Sequence, residues 1–232
     1  MLQMLQKIQN QRVHVINLGF KSEWIIDSFK KTRPDKVYLV KKTNESKDAK
    51  DAEKEIKKFV KKLDIELIII ENNEEVYQLI RQLKVVFEEE KGNVVYLAIS
   101  SGPRYNTSAF IISSMLFGKY SKEVYLYSLK EGEFIPLPHF ETKLPKLEVI
   151  EAIKFISKEG KCKKKDLRDF IFNESILKVG KECKDKEHSM YVKLNRSILE
   201  SALDWKLIKI DGKKKGCLIS LTEEGEKWVK IF

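Results

Sequence analysis

Hydrophobic positions in the first half of the chain switch repeatedly between two periods. Short apolar runs predict strands, and each is followed by a longer segment whose apolar residues recur every three or four positions, which predicts a helix. Ser22 is the predicted N-cap of the first helix. The predicted strands are residues 13–18, 36–40, 65–70, 94–99 and 124–128, and the predicted helices are residues 22–31, 45–63, 74–89 and 106–117.

This alternation predicts an α/β fold, a Rossmann-like, mainly parallel sheet with helices on both faces. Residues 133–136 are a candidate edge strand, added by a hairpin through Glu131 and Gly132. In the common strand order of such folds, the first and fourth strands are neighbours, and ligands bind beyond their carboxyl ends. The loops that follow these two strands are therefore expected to meet.

The two loops carry the residue types that bind an anion. The first contains Leu18, Gly19, Phe20 and Lys21, where the glycine permits close approach and the lysine supplies a mobile positive charge. The second contains Ser100, Ser101, Gly102, Pro103 and Arg104. It offers small side chains, backbone N–H groups, a proline suited to the first helical position and a guanidinium group. The alternative is an ordinary strand-to-helix turn with a surface arginine.

The pattern changes after a segment with prolines at both ends, residues 137–145, which is predicted to be a linker. The predicted organisation is a ligand-sensing and dimerisation domain at 1–136 and a smaller domain at 146–232. Helices at 147–158, 163–172 and 191–204 precede a hairpin of strands 207–210 and 217–221 and a short last helix. Three helices and a hairpin predict a winged helix-turn-helix domain.

In such a domain the third helix enters the major groove of DNA, which makes Lys193, Asn195 and Arg196 candidate DNA-binding residues. Lys213, Lys214 and Lys215 at the hairpin tip would reach the flanking backbone. The alternative is that the tip lysines are solvated and the domain is a docking surface. Residues 173–189 are also far longer than a standard helix-turn-helix turn and are expected either to hold an extra helix or to re-aim the third helix.

Charge and cysteine content indicate which partners and cofactors the protein is expected to have. The net charge is +10 with a pI near 9.2, and the part after Pro145 carries +6 of it, so a polyanionic partner is expected mainly there. Three cysteines without a C-x-x-C pair predict neither a disulfide framework nor a metal site, and no cofactor is expected. No run reaches membrane-spanning length, so we expect a cytoplasmic protein that does not contact a membrane.

With these motifs in place, the chain resembles a CRISPR-associated Rossmann-fold (CARF) regulator with a C-terminal winged helix, of the archaeal type. Residues 13–21 are similar to the family's first strand and ligand loop, and residues 99–104 to its loop after the fourth strand. The resemblance implies antiviral defence, with a homodimer that forms one pocket for a cyclic oligoadenylate, most often cyclic tetra-adenylate. It also implies a transcriptional regulator that binds double-stranded DNA.

Other readings of the same residues remain open. Some members of the family cleave the cyclic ligand without metal, and the resemblance would then give Ser100, Lys21 and Arg104 the positioning and charge-stabilising roles. A ligand-activated ribonuclease usually carries an arginine four to six residues before a histidine, and neither Arg168 nor Arg196 is followed by one at that distance. A third reading is a nucleotide-binding scaffold with a protein-docking domain.

Overall fold

The structure is a computed structural model that describes residues 10–19, 21–44, 46–73, 75–99, 102–128, 132–137, 143–178, 185–212 and 216–232. The chain forms two compact units, Met1–Thr142 and Lys143–Phe232. The boundary between the units lies inside the predicted linker 137–145, of which 138–142 fall outside the described residues. The roles assigned to the two predicted domains stay predictions.

The first unit alternates strands and helices, as predicted. Its strands are β1 (Arg12–Asn17), β2 (Lys36–Lys42), β3 (Glu66–Asn72), β4 (Val94–Ala98), β5 (Glu123–Ser128) and β6 (Glu133–Pro136). Its helices are α1 (Ser22–Thr32), α2 (Lys47–Lys62), α3 (Val76–Glu89) and α4 (Arg104–Phe117), the last followed by a 3₁₀ turn at Gly118–Tyr120.

The six strands form one sheet in the order β3-β2-β1-β4-β5-β6. All neighbours are parallel except β6, which pairs antiparallel with β5 at the edge. Helix α1 contacts α2, and α3 contacts α4. The chain therefore winds away from β1 in both directions, and the α/β, Rossmann-like fold class predicted from the periodicity is confirmed.

The β1 and β2 strands are almost fully buried, which explains their nearly continuous apolar runs. One prediction at this level is wrong. Ser22 is the first residue of α1 rather than its N-cap; Lys21 holds the cap position in extended conformation, and the Ser22 hydroxyl donates a hydrogen bond to Glu55 Oε2 on α2. Ser46 does cap α2, accepting a hydrogen bond from the Ala49 N–H.

A buried charged cluster joins β2 to the end of α3. The Glu90 carboxylate accepts hydrogen bonds from the Tyr38 hydroxyl at 2.6 Å and the Asn93 amide at 2.8 Å, and pairs with the Lys36 ammonium at 2.9 Å. Burial alone would raise the pKa of Glu90, but the hydrogen bonds from these partners outweigh it and lower the pKa. Glu90 is therefore held as a carboxylate inside the fold.

The second unit contains helices α5 (Leu147–Glu159), α6 (Lys164–Asn173), α7 (Lys186–Leu194), α8 (Glu200–Asp204) and α9 (Glu223–Ile231). A π-helical turn, Asn195–Leu199, joins α7 to α8 without a break. Three short strands, β7 (Lys161–Lys163), β8 (Ile208–Asp211) and β9 (Leu218–Leu221), form an antiparallel sheet in the order β7-β9-β8. Its core includes buried aliphatic residues of α5, α6, the π-helical turn and the sheet.

Two features of this unit differ from the sequence-based expectation. Strand β7 was not predicted, because it is only three residues long and buries Cys162 alone, so it carries no visible alternation. The third helix begins at Lys186 rather than at residue 191, because Asp185 caps it by accepting a hydrogen bond from the His188 N–H. Part of the long segment 173–189 is thus helix, while 179–184 lie outside the described residues.

Within the described residues, no helix is both long enough and apolar enough to cross a membrane.

Candidate functional site

The predicted anion loops leave two neighbouring strands at the same edge of the sheet. β1 and β4 pair in parallel, with Ile16 opposite Ala98, so the chain emerges from both at the carboxyl edge about 5 Å apart. Leu18 and Gly19 are buried, and the Leu18 N–H donates to the Val40 carbonyl at 2.8 Å. The Leu18 side chain packs in the core, so only its backbone is available to a ligand.

Asn17, the last residue of β1, connects the two strand ends. Its side chain is fully buried, and its amide nitrogen donates to the carbonyl oxygens of Ile99 at 3.4 Å and Pro103 at 3.2 Å. A third contact of 3.4 Å joins the same nitrogen to the Thr107 hydroxyl. One β1 side chain therefore holds both the start of the β4–α4 loop and the beginning of α4.

The amide contacts continue beneath the sheet edge. Asn106 donates to Asn17 Oδ1 at 3.0 Å, and Asn72 donates to Asn106 Oδ1 at 2.9 Å. All three asparagines are fully buried. The chain of amides therefore runs from the end of β3, through the first turn of α4, to the end of β1, and it ties these three elements together.

Gly102 is required by this network. A Cβ atom at Gly102 would lie 2.0 Å from Asn17 Oδ1, far inside any tolerated contact. From the sequence, Gly102 was expected to offer a small residue and a backbone N–H group to an anion. The structure shows an additional reason: the loop backbone passes directly over the buried Asn17 side chain.

The three asparagines were missed by sequence reasoning, although a signal exists. β1 and β3 both end in asparagine after apolar runs, and asparagine is depleted in strands. Asn106 likewise stands near the start of an apolar helix. A buried amide at the carboxyl end of a parallel strand indicates a held loop.

The candidate cations lie at the beginnings of α1 and α4. Lys21 and Arg104 are exposed, and neither forms an ion pair with another described residue. The Lys21 ammonium lies 4.5 Å from the centroid of the Trp24 ring. Pro103 is the N-cap of α4 rather than its first residue, and neither it nor Lys21 caps its helix with a side-chain hydrogen bond. Both helices thus begin with backbone N–H groups that lack a side-chain cap.

The Glu55 carboxylate lies beside the beginning of α1, where it accepts a hydrogen bond from the Ser22 hydroxyl. It limits the positive potential near α1, so Arg104 and the start of α4 are the more favourable half of the site for an anion. Three predicted ligand residues, Phe20, Ser100 and Ser101, lie outside the described residues.

In the second unit the structure locates half of the predicted DNA-binding residues. Lys193 is exposed on α7, and its ammonium donates to the Lys178 carbonyl. Asn195 and Arg196 lie on the π-helical turn, where Arg196 is exposed and Asn195 Oδ1 is buried without a hydrogen-bond partner among the described residues. Lys213, Lys214 and Lys215 fall outside the described residues.

Among the described positions, no group of three histidine, cysteine, aspartate or glutamate side chains is arranged to hold a metal ion.

Comparison with solved structures gives distant likenesses. Can2 from Sulfobacillus thermosulfidooxidans, solved in complex with cyclic tetra-adenylate, is 12% identical with a TM-score of 0.41 and matches 97% of this chain. VC1899 from Vibrio cholerae is 7% identical with a TM-score of 0.40 and matches 95% of this chain. The chain spans 62% of Can2 and 66% of VC1899. At these scores neither likeness supports a conclusion about function.

Among curated proteins, none matches the chain. A family model does match: the family described as "HFX_2341_N:-like, N-terminal" covers residues 12–131. That range spans β1 to β5 with both loops of the candidate site, and it is more than half of the 232 residues. The chain therefore belongs to this family.

Proposed function

We propose that the first unit is a sensor of a cyclic oligoadenylate, with cyclic tetra-adenylate as the first ligand to test. The observation that carries the proposal is the amide-held end of β4 beside Arg104, where helix N–H groups and a guanidinium that forms no ion pair with any described residue lie at the β1/β4 edge. Charge-assisted hydrogen bonds from such groups suit phosphates. The family resemblance of residues 13–21 and 99–104 supplies the ring of adenylates as the ligand class.

The proposed ligand residues are the two loops as predicted from the sequence. In this proposal Lys21 and Arg104 bind phosphate oxygens, and the backbone around Gly19 and Gly102 lies against the ligand. The remaining members are Leu18, Phe20, Ser100, Ser101 and Pro103. If the ligand is cleaved, Ser100, Lys21 and Arg104 are the residues that would align the ribose hydroxyl with its phosphate.

The active form in this proposal is a homodimer. A ring of identical nucleotides matches a twofold axis, which presents the same loop from each copy. Helix α4 begins with Arg104 and leaves Ile111, Ile112 and Met115 at 44%, 38% and 40% exposure. We place the dimer contact on this face, because a second copy there would bury the apolar side chains and keep both Arg104 residues on one side.

For the second unit we propose a winged helix-turn-helix that binds double-stranded DNA. The order of helix, strand, two helices and hairpin, with β7-β9-β8 pairing, supports this assignment. Lys193, Asn195 and Arg196 would face the major groove, and Lys213, Lys214 and Lys215 the flanking backbone. Ligand binding would then change DNA affinity, and the protein would act in CRISPR-linked transcriptional regulation and antiviral defence in the cytoplasm of an archaeon.

One incubation tests the sensor and its enzymatic alternative together. Labelled cyclic tetra-adenylate is mixed with the full chain, and bound and free nucleotide are separated by chromatography. Intact retained ligand supports a sensor, a linear product supports a ring nuclease, and ligand that stays both intact and unbound rejects both. Arg104→Ala should weaken binding more than tenfold, because a charged hydrogen bond is lost from each copy. Arg104→Lys is the matched control and should lose less.

A second test addresses DNA. Retardation of the chain's own upstream region at low salt supports the regulator, and its absence favours a docking domain. Neutralising Lys213, Lys214 and Lys215 should flatten the salt dependence of binding, because each phosphate contact releases counterions.

A further inference from the structure

The second unit contains an open basic groove whose described lining includes none of the predicted DNA-binding residues. Its volume is about 460 Å³, and it lies between α5, the outer face of the three-stranded sheet and α9. Lys161, Lys209 and Lys230 line it together with the hydroxyl groups of Ser157 and Ser220. The one carboxylate in the lining is Glu226, so the described lining has a net charge of +2. We call this feature the lysine groove.

Strand register explains why two of these lysines converge. Ser220 on β9 is paired with Lys161 on β7 and with Lys209 on β8. Directly paired residues project to the same face, so the two lysines flank one serine with their Cβ atoms about 10 Å apart. Ile219, which precedes Ser220 on β9, is fully buried on the opposite face of the sheet. The core-facing pattern of the sheet therefore fixes the lysines on the outer face.

These two lysines differ from their neighbours in lacking an acidic partner. Lys161 and Lys209 are exposed and make no ion pair with any described residue. In the same unit Lys154 pairs with Glu151 at 3.0 Å, and Lys227 pairs with Glu224 at 3.4 Å. Lysines on edge strands also prevent unwanted strand pairing. That role does not require a third lysine from α9 or a concave shape lined with hydroxyl groups.

We propose that the lysine groove binds the phosphate backbone of double-stranded DNA, as a contact additional to the third helix and the hairpin tip. The proposal rests on the proposed DNA-binding function of the second unit. Lysine ammonium groups are point charges on flexible stems, so they suit phosphates and do not read bases. Lys209 lies on β8, the strand that leads into the predicted wing tip, so the groove would extend the wing's backbone contact.

The test uses the full chain and a random-sequence duplex of about 30 base pairs, with affinity measured across a range of salt. Each phosphate contact contributes about 0.9 to the slope of log affinity against log salt, so Lys161→Gln/Lys209→Gln should lower the slope by about 2 and weaken binding by about tenfold at 0.1 M salt. Lys154→Gln/Lys227→Gln changes the net charge equally and should leave the slope within about 0.5 of the parent.

A variant that removes a negative charge from the groove distinguishes binding at the groove from a general effect of lost positive charge or lost folding. Glu226→Gln removes the carboxylate from the described lining and should tighten duplex binding about twofold to threefold. Thermal unfolding should be nearly unchanged in all variants, since Lys154 is only half-buried and the other changed side chains are exposed.

Each result supports or overturns the groove. If the parent chain binds duplex and the slope of Lys161→Gln/Lys209→Gln equals that of the control, the groove proposal is wrong while the DNA-binding proposal stands. If the double variant loses affinity for single-stranded RNA of equal length but not for duplex, the groove binds RNA and the proposal is overturned. If the parent binds no duplex at low salt, both proposals fail.

Discussion

The two candidate sites are built on opposite physical principles. At the β1/β4 edge of the first unit, fully buried amides join the end of β4 to the beginning of α4 through hydrogen bonds. On the second unit, the lysine groove consists of exposed side chains on short strands, and no buried amide network supports it among the described residues. The first site depends on buried hydrogen bonds and close packing, whereas the second depends on charge and is therefore sensitive to salt.

The largest loss of stability is expected at Gly102, where the site at the β1/β4 edge leaves no space for a side chain. Gly102→Ala would place a methyl group against Asn17 Oδ1, and overpacking of a buried contact costs about 3 kcal/mol. We expect a large drop in the free energy of unfolding, measured by urea titration, and loss of cyclic tetra-adenylate binding. Gly118→Ala is the matched control, because its Cβ would meet only Val124 at 3.4 Å.

A double variant makes this prediction sharper. In an Asn17→Ala background the clashing atom is gone, so Gly102→Ala should then cost much less than in the parent chain. If the two costs simply add, the close approach does not explain the glycine.

A smaller loss of stability is expected when the Asn17 side chain, which joins β1, β4 and α4, is itself removed. Asn17→Ala leaves the buried Asn106 amide without its acceptor, which costs about 2 kcal/mol, and the carbonyls of Ile99 and Pro103 then keep only their hydrogen bonds from Thr107. Hydrogen exchange should increase in the β4–α4 loop and the start of α4. Peptides from α5 in the second unit should exchange as in the parent, and an equal increase there would contradict a local role.

These comparisons show what the sequence could and could not predict. The periodicity of hydrophobic residues was sufficient to predict the alternating strands and helices of the first unit. Because the first and fourth strands are adjacent in the sheet, the two loops that follow them lie together. The hydrogen-bonded chain of amides between Asn72, Asn106 and Asn17 was not predicted, because it joins positions up to 89 residues apart. Strand β7 was too short to show a period. Long-range hydrogen bonds and three-residue strands have no local signature.

Acid should affect the first unit through a buried histidine. His14 is fully buried, and burial, with a smaller contribution from the charge of Arg12, lowers its pKa from 6.5 to about 3. Below pH 6.5 the unfolded chain gains a proton that the folded chain does not, so stability falls by about 1.4 kcal/mol per pH unit down to about pH 3. The lowered pKa of Glu90 adds a further loss below about 4.5.

The matched variant is His14→Phe. The His14 ring lies 5.4 Å from that of Phe29 and 5.0 Å from that of Tyr96, so a phenyl ring fits an aromatic environment. Hydrogen exchange of β1 and α1 peptides between pH 6.5 and 5 should lose most of its pH dependence in this variant, after correction for the intrinsic exchange rate. An unchanged dependence would assign the acid sensitivity to another group.

The smallest effect is expected at Arg168, a buried cation that joins two helices of the second unit. Arg168 on α6 is 8% exposed, contacts Asp169 and Glu187, and lies 4.7 Å from the Tyr191 ring centroid on α7. Arg168→Lys keeps the charge but loses the planar fork, at a cost of about 1 kcal/mol. Urea unfolding followed through Trp205 and Trp228 should report this loss, while exchange in the β4–α4 loop stays at the parent rate. A cost as large as that of Gly102→Ala would mean that the second unit also depends on a rigid polar anchor, and the contrast between the units would then disappear.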